Sequence, residues 1–375
     1  MTEMLNEGLS RRGFVKRAAA LGLAIPTIGA LLSACNDDDE ENGAASAAAD
    51  SDDHEGDDHP ASSEDDDGPS ADAVRIAKDP TDIPGPINRS TPEHVVVELE
   101  TVELDGWIDE ETSFKFWTFN GTVPGPMVRV REGDTVEIQL TNNSDNQHPH
   151  NIDLHSVLGP GGGAEATTVS PGETRGFEFK ALHPGVYVYH CAVPHIPTHV
   201  GHGMYGLIVV EPEAGLPDVD KEFYIMQGEF YVNQRPNQGG HANWDGDAQW
   251  REQPNYVVFN GQFQAITGDH AMHAQVGDRV RMFVGNGGPN LVSSFHVIGG
   301  IIDVLHREGQ AEATHNVETT LIPAGGSSWM EFDFDVPGNY ILVDHSLGRA
   351  IDKGAIAILT VEGDENPEIF NPLDD

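Results

Sequence analysis

The chain is poor in cysteine and in basic residues. It has two cysteines among 375 residues, Cys35 and Cys191, and its 20 Lys and Arg face 62 Asp and Glu, for a formal net charge of −42. Because phosphate binding needs clustered cations, this balance argues against nucleic acid as a partner. Two cysteines allow at most one disulfide, so the context of each decides whether they pair.

The N-terminal apolar run is too short to cross a membrane. It extends over fifteen residues, Ala18 to Leu32, and is broken by Pro26. The run follows "SRRGFVK", a twin-arginine motif, and ends in "LSAC", which resembles a lipobox. We therefore predict a twin-arginine lipoprotein signal peptide over 1–35. Export and a lipid anchor at Cys35 would place the protein on the outer face of the cytoplasmic membrane, where unpaired Cys191 invites a metal explanation.

The excess of acid is spread over two regions of different character. Residues 36–72 hold sixteen acids and no Lys or Arg, so we expect 36–73 to be a disordered, self-repelling tether. The remaining 73–375 still hold 44 acids and 16 bases. An acidic surface of this kind favours adaptation to high salt, where ions screen self-repulsion, and hence a halophilic source.

Beyond the tether, short alternating segments predict strands. "HVVVELE", "MVRVREGDTVEIQLTN" and "GLIVVEP" alternate apolar and polar residues with a period of two, as in an antiparallel β-sandwich. The pattern also repeats, since "FNGTVPGP" at 119–126 is echoed by "FNGQFQAITG" at 259–268. Two copies of one sandwich, over 88–212 and 220–363, are the simplest account. The predicted class is all-β.

One stretch, "YHCAVPHIPTHVGHGMYG" at 189–206, concentrates metal ligands. A blue copper site needs two imidazoles, a thiolate and a weak axial thioether. Cys191, His199 and Met204 offer three of these ligands. The fourth is expected from "HPHNIDLH" at 148–155, which contains His148, His150 and His155.

Strand geometry divides the candidate ligands into two groups. His190 and Cys191 are adjacent, so in an extended strand their side chains point to opposite faces. Asp153 and His155 share a face, and His150 falls on the other. Two metal sites joined through the His190–Cys191 backbone are therefore predicted, although parity alone does not separate His148 from His150.

These motifs resemble those of the copper-containing nitrite reductases, trimeric enzymes whose subunits have two cupredoxin domains with Greek-key topology. The resemblance covers about 88–363 and includes "HNIDLH", "HC…H…M", "FHVIGG" and "VDHSLGRAIDKGA". It implies two copper ions per subunit, one type 1 copper for electron transfer and one type 2 copper for substrate binding. The implied residues are His150, Cys191, His199 and Met204 for type 1 copper; His155, His190 and His345 for type 2 copper; and Asp153, His296 and Ile298 on the substrate side, the first two catalytic.

The implied reaction is the one-electron reduction of nitrite to nitric oxide in denitrification. Type 2 copper would bind nitrite, and type 1 copper would supply the electron from a small donor protein, either a cupredoxin such as halocyanin or a cytochrome c. Together with the acidic surface, the resemblance suggests a halophilic archaeon as the source. A homotrimer is expected because the family draws its third type 2 histidine from a neighbouring subunit.

Three alternatives stay open at this point. His195 competes with His199, because the loop after Cys191 is one residue shorter than in familiar family members. A two-domain laccase-like multicopper oxidase would need several His-x-His pairs, and His148-Pro149-His150 is the only one in the chain. A blue-copper electron carrier would need only the type 1 ligands and would leave Asp153, His155 and His345 without a role.

Overall fold

The computed structural model describes residues 68–373. The predicted signal peptide, 1–35, and the predicted tether up to residue 67 lie outside the described residues. Within 68–373, strands predominate and the helices are short, which confirms the prediction of an all-β fold.

The first half of the described chain forms two sheets that face each other. In one sheet the order is β3, β2, β5 and β7, with β1 beside β2; in the other it is β4, β9, β8 and β6. Their bounds are β1 Val74–Arg75, β2 His94–Trp107, β3 Thr112–Phe119, β4 Val128–Arg131, β5 Thr135–Asn142, β6 Asp153–Leu154, β7 Thr174–Lys180, β8 Gly185–His190 and β9 Tyr205–Glu211. In β5 the predicted alternation is visible, since Val136, Ile138 and Leu140 are buried between half-exposed neighbours.

The second half repeats this arrangement. One sheet has the order β12, β10, β14, β19, β16 and β17, and the other has β13, β21, β20, β15 and β18. The bounds are β10 Lys221–Phe230, β11 Gly240–Ala242, β12 Tyr256–Phe259, β13 Met272–Gln275, β14 Arg279–Gly288, β15 Ser293–Ile298, β16 Ile302–Arg307, β17 Thr314–Val317, β18 Thr319–Ile322, β19 Ser327–Asp333, β20 Gly338–Asp344 and β21 Ile356–Glu362.

Helices occur only as short connections within 68–373. They are α1 Ala164–Thr167, α2 Ile196–Gly201, α3 Gly246–Trp250 and α4 Leu347–Lys353, with 3₁₀ turns at Pro160–Gly163 and Gly268–His270. At the start of α3, the Asp245 carboxylate accepts a hydrogen bond from the Ala248 backbone N–H, a typical N-cap. In this part of the chain, none of the helices has the length and hydrophobicity to span a membrane.

Three hydrophobic cores hold the two sandwiches together. Leu99 and Ile138 belong to the core of the first sandwich, and Phe295 and Leu359 to that of the second. A third core joins them, because it combines Val188 and other residues of the first sandwich with Phe283 and others of the second. The joint between the sandwiches is therefore apolar and buried, which gives the two halves of the molecule a defined relation.

The sequence repeat is also a repeat of turn geometry. Asn120 and Gly121 both have positive φ, 58° and 79°, and Asn260 and Gly261 match them at 49° and 79°. Consecutive residues with positive φ form turns that Asn-Gly sequences favour, because both residues tolerate the left-handed region. The shared "FNG" therefore marks the same turn in both sandwiches.

The strand directions differ from the predicted antiparallel sandwich. β2 runs parallel to β5, and β10 runs parallel to β14, whereas most hairpin neighbours are antiparallel. Apolar alternation reports which face of a strand is buried, and it carries no information on the direction of the neighbouring strand. The expected antiparallel pairing therefore holds for pairs such as β2 with β3, and it fails for β2 with β5 and for β10 with β14.

The chain segments also extend beyond the predicted bounds. β11, which lies within the predicted second domain, pairs with β3 of the first sandwich. At the end of the predicted tether, the Ser70 backbone N–H donates to Ser113 Oγ at 2.8 Å, and Ser70 Oγ donates to Asp105. Side-chain and backbone hydrogen bonds of Ser70 thus attach the end of the predicted tether to the first sandwich.

Candidate metal centres

The end of β8 separates two groups of ligands. Asp153 of β6 lies directly opposite His190 in an antiparallel pair, and His155 continues the ladder through its backbone N–H to the Val188 carbonyl. These side chains lie toward one face of the sheet. Cys191, the next residue after His190, is fully buried in the core on the other face. The sheet therefore divides the candidates as strand parity predicted.

The buried centre, as we call His150, Cys191, His199 and Met204, brings its nitrogen and sulfur donors together. Cys191 Sγ lies 3.3 Å from His199 Nδ1 and 4.0 Å from His150 Nδ1. The two histidines are 5% exposed or less, and Met204 is fully buried in the same core. Backbone hydrogen bonds tie Met204 to Cys191 and to His199, so α2 and the loop around it hold three of the four residues together.

The chemistry of the buried centre fits a copper ion. Burial raises the pKa of the Cys191 thiol to about 12, and burial followed by repulsion from His150 lowers the pKa of His199 to about 3. The imidazole is therefore neutral and offers a free lone pair, while the thiol needs a bound cation to become a thiolate. Two imidazoles, one thiolate and a thioether are the set that copper electron-transfer sites use.

The structure also locates the two histidines that competed for this centre. His195 is exposed, immediately before α2, and its Nδ1 lies 3.0 Å from Thr198 Oγ1 rather than near the thiol. His148 is about half exposed and interacts with Glu103. The buried centre thus contains His199 rather than His195, and His150 rather than His148.

Several residues that the sequence interpretation missed surround the buried centre. Glu103 Oε1 lies 3.1 Å from His150 Nε2, and the Asn151 side-chain oxygen accepts a 2.6 Å hydrogen bond from the Ala192 backbone N–H. The Trp117 ring contacts His199 edge-on at 4.8 Å and stacks on His202 at 4.2 Å. Asn151 directly follows His150 in sequence and was a visible candidate. The other contacts depend on pairing between distant strands, which no local motif reveals.

A second group, the imidazole pair of His155 and His190, lies on the opposite side of β8. The Nε2 atoms of the two rings are 3.1 Å apart, and the Asp153 carboxylate lies 3.9 Å from His190 Nε2. His190 Nδ1 donates to the Cys191 carbonyl at 3.0 Å, which directs Nε2 toward the pair. Burial, followed by repulsion from His190, lowers the pKa of His155. The neutral form of His155 is therefore favoured, and two facing imidazoles with a carboxylate beside them fit a metal ion as well.

The remaining predicted residues lie together in the second sandwich. The rings of His296 on β15 and His345, just after β20, contact each other with centroids 5.3 Å apart. His296 Nδ1 donates to the Glu318 carbonyl at 2.7 Å, and the His345 backbone N–H donates to the Ser294 carbonyl. Ile298 shares the exposed strand face of His296 and is 44% exposed.

A single chain does not complete the predicted type 2 site. Within 68–373, the convergent ligand atoms around His155 and His190 include Asp153 and not His345. One further group, formed by His94, Glu137 and Glu178 on the outer strand faces of the first sandwich, is largely exposed. The predicted type 2 residues thus form two incomplete surfaces, one on each sandwich.

The chain is similar in sequence and in structure to known copper-containing nitrite reductases. The chain is 54% identical over 289 residues to a copper-containing nitrite reductase of Neisseria meningitidis, covering 77% of this chain and 75% of that protein. A solved copper nitrite reductase of Nitrosomonas europaea is 35% identical and superposes with a TM-score of 0.66, covering 73% of this chain and 96% of that one.

More distant similarity extends to another class of copper protein. A family model described as multicopper oxidase matches residues 102–215. A solved multicopper oxidase superposes with a TM-score of 0.65 over 78% of this chain and 98% of that one, at 23% identity. At that identity the likeness shows the shared fold alone.

Proposed function

The chain belongs to the copper-containing nitrite reductase family, as its motifs predicted, and we propose that it reduces nitrite to nitric oxide in denitrification. Each turnover consumes one electron and two protons and releases water. One observation carries the proposal: adjacent residues, His190 and Cys191, belong to two different ligand groups on opposite faces of one sheet. An electron carrier would need only the buried group.

We propose that the two groups of residues bind two copper ions per subunit, each with a different role. His150, Cys191, His199 and Met204 would hold type 1 copper, and His155 and His190 would hold type 2 copper with His345. Bound copper would supply one-electron redox chemistry at the buried centre and Lewis-acid binding of nitrite at the imidazole pair. His190 and Cys191 join the two groups through a single peptide link, so no further residue is needed between them.

We propose that the third type 2 ligand, His345, comes from a neighbouring copy in a homotrimer. The support is that His345 is exposed and lies outside the group formed by His155 and His190 in its own chain. It also lies on a sandwich that exposes apolar side chains, including Ile298 and Leu321, at 44% and 62%. A covering subunit would bury such a patch.

Asp153 and His296 are the proposed proton donors. The Asp153 carboxylate lies beside His190 and remains partly open to solvent, so it can exchange a proton with water and with bound nitrite. His296 Nδ1–H donates a hydrogen bond to the Glu318 carbonyl, which leaves Nε2 as the nitrogen that would pass a proton to the substrate. Ile298 would limit the space beside His296 and exclude larger anions.

The test is an anaerobic assay for nitric oxide formed from nitrite with an artificial reductant. We expect about two coppers per chain in the wild type and a loss of roughly 10²- to 10⁴-fold in turnover for Asp153→Asn with both coppers retained. Unchanged turnover in that variant would refute the proton role. A single blue copper per chain, with no nitric oxide produced, would refute the function itself.

The cellular setting is proposed from the sequence alone. The "SRRGFVK" and "LSAC" segments support twin-arginine export and a lipid anchor at Cys35, and thus a position on the outer face of the cytoplasmic membrane. A small cupredoxin such as halocyanin, or a cytochrome c, would deliver the electron. We propose a halophilic archaeon as the source, and the net charge of −42 supports the adaptation to high salt.

A further inference from the structure

One buried carboxylate contacts two histidines at the edge of the buried centre. The side chain of Glu103, on β2, is only 6% exposed. Its Oε1 lies 3.1 Å from His150 Nε2 and accepts the His148 backbone N–H at 2.9 Å. His148 Nδ1 lies 3.1 Å from both carboxylate oxygens.

The contact between Glu103 and His150 determines which nitrogen of the imidazole carries the hydrogen. A neutral imidazole carries one N–H and one lone pair, and a carboxylate accepts hydrogen bonds without donating any. His150 Nε2 therefore carries the proton that Glu103 accepts, and Nδ1, which faces Cys191 Sγ at 4.0 Å, keeps the lone pair. A carboxylate on the distal nitrogen also prevents rotation of the ring and makes it a more basic ligand.

We propose that Glu103 is a positioning residue of the type 1 copper centre, where it selects the Nδ1-ligating form of His150 and stabilises Cu(II) relative to Cu(I). The inference rests on the proposed function, because it presumes copper at the buried centre. The negative charge and the strengthened imidazole both favour the more highly charged ion. Glu103 thus sets how readily the centre accepts an electron.

His148 moderates this effect from the protein surface. Its ring is about half exposed, and it lies against Trp117 with ring centroids 4.4 Å apart. Because His148 shares the carboxylate with His150, it withdraws part of the negative charge from the bond to His150. Removing the His148 nitrogens should therefore act in the opposite direction to neutralising Glu103.

The experiment is a redox titration of the copper-loaded protein, followed by the visible absorption of type 1 copper. For Glu103→Gln we expect the ratio of Cu(I) to Cu(II) at a given potential to rise about tenfold, equivalent to about 59 mV for one electron. The affinity for Cu(II) should fall about 10- to 100-fold. Glu98→Gln removes the same charge from an exposed position on the same strand and should leave both quantities unchanged.

Two further variants keep the inference testable if Glu103→Gln folds poorly. Glu103→Asp retains the charge and should recover much of the wild-type potential. His148→Phe keeps a ring against Trp117 and should lower the potential. Equal potentials in the Glu103→Gln and Glu98→Gln proteins, or a raised potential in His148→Phe, would overturn the inference. A wild type without a type 1 copper spectrum would instead refute the proposed function.

Discussion

At the residue scale, the Asp153 carboxylate occupies space that is free only because residue 162 is a glycine. Gly162 has φ of 55°, and a Cβ placed there would lie 1.8 Å from Asp153 Oδ1. The carboxylate must therefore move in Gly162→Ala. Because misplacing a catalytic group by about 1 Å can cost about 10²-fold in rate, we expect a loss of nitrite turnover of that order, measured with an artificial reductant.

Gly161 provides the matched control for this prediction. It has nearly the same backbone angle, with φ of 58°, but an added Cβ would meet its nearest neighbour, Ala164 Cβ, at an ordinary 3.6 Å. Gly161→Ala carries the same left-handed strain, about 1–2 kcal/mol, without touching Asp153. Equal losses of turnover in the two variants would show that loop strain, and not displacement of the carboxylate, is responsible.

The candidate ligands were more predictable from sequence than the residues that surround them. Spacing and strand parity identified Cys191, and they assigned His190 to the opposite face, because both arguments use only local geometry. Parity did not separate His148 from His150, which share a face. Both contact Glu103, and only His150 is buried and lies near Cys191. Glu103 itself is 45 residues or more from both histidines. Its role follows from the pairing of β2 in the sheet, which no nearby pattern encodes.

At the element scale, a buried network of ion pairs links the two sandwiches. Arg129 on β4 donates to Glu222 on β10 at 2.6 Å, and Arg281 on β14 donates to the same carboxylate at 2.8 Å. All three side chains are 9% exposed or less. Glu222→Gln would leave two buried guanidinium groups short of negative charge. We expect it to lower the free energy of unfolding by about 3 kcal/mol, as measured by denaturant titration.

The exposed end of the same network gives the comparison. Arg279 and Asp333 form an ion pair at 2.5 Å, but their side chains are 30% and 52% exposed. Asp333→Asn should therefore cost less than about 1 kcal/mol, because solvent screens the pair. A similar loss of unfolding free energy in Asp333→Asn and Glu222→Gln would contradict a structural role for the buried ion-pair network.

Individual strands could be predicted from the local sequence, whereas several of the pairings between strands could not. Alternation predicted strands such as β5, and the repeated "FNG" predicted two related sandwiches. The parallel pairing of β2 with β5, and the addition of β11 to the first sandwich, were not predicted. Both depend on how segments far apart in sequence meet, and hydrophobic periodicity describes one strand at a time.

At the scale of the whole molecule, charge repulsion should make stability depend on salt. Residues 73–375 hold 44 acids and 16 bases. Between about 0.1 M and about 1 M KCl the Debye length falls from about 10 Å to about 3 Å, so repulsion between surface carboxylates is screened. We expect the Tm to rise by about 5 °C or more over this range, measured by calorimetry. A Tm that stays level would contradict adaptation to high salt.

The division of the proposed type 2 ligands between two surfaces predicts that inactive variants complement each other. His155→Ala and His345→Ala should each abolish nitrite turnover, since each removes one proposed ligand of every site. In the proposed trimers, assembled from an equal mixture of the two variants, a site is intact where a chain with native His155 and His190 meets a neighbour with native His345. Random assembly gives about one intact site in four, so roughly a quarter of wild-type turnover should return.

Complementation is expected only if two neighbouring chains supply the ligands of one site. The experiment therefore distinguishes a site shared between chains from a site formed within one chain. If His345 reached the imidazole pair of its own chain, every chain in the mixture would lack one ligand and turnover would stay absent. His155→Ala mixed with His190→Ala is the matched control, because both changes fall on the same surface and no interface regains a full set. Recovery in the first mixture and none in the second requires neighbouring copies to build each site together, with His345 facing the pair across a subunit boundary.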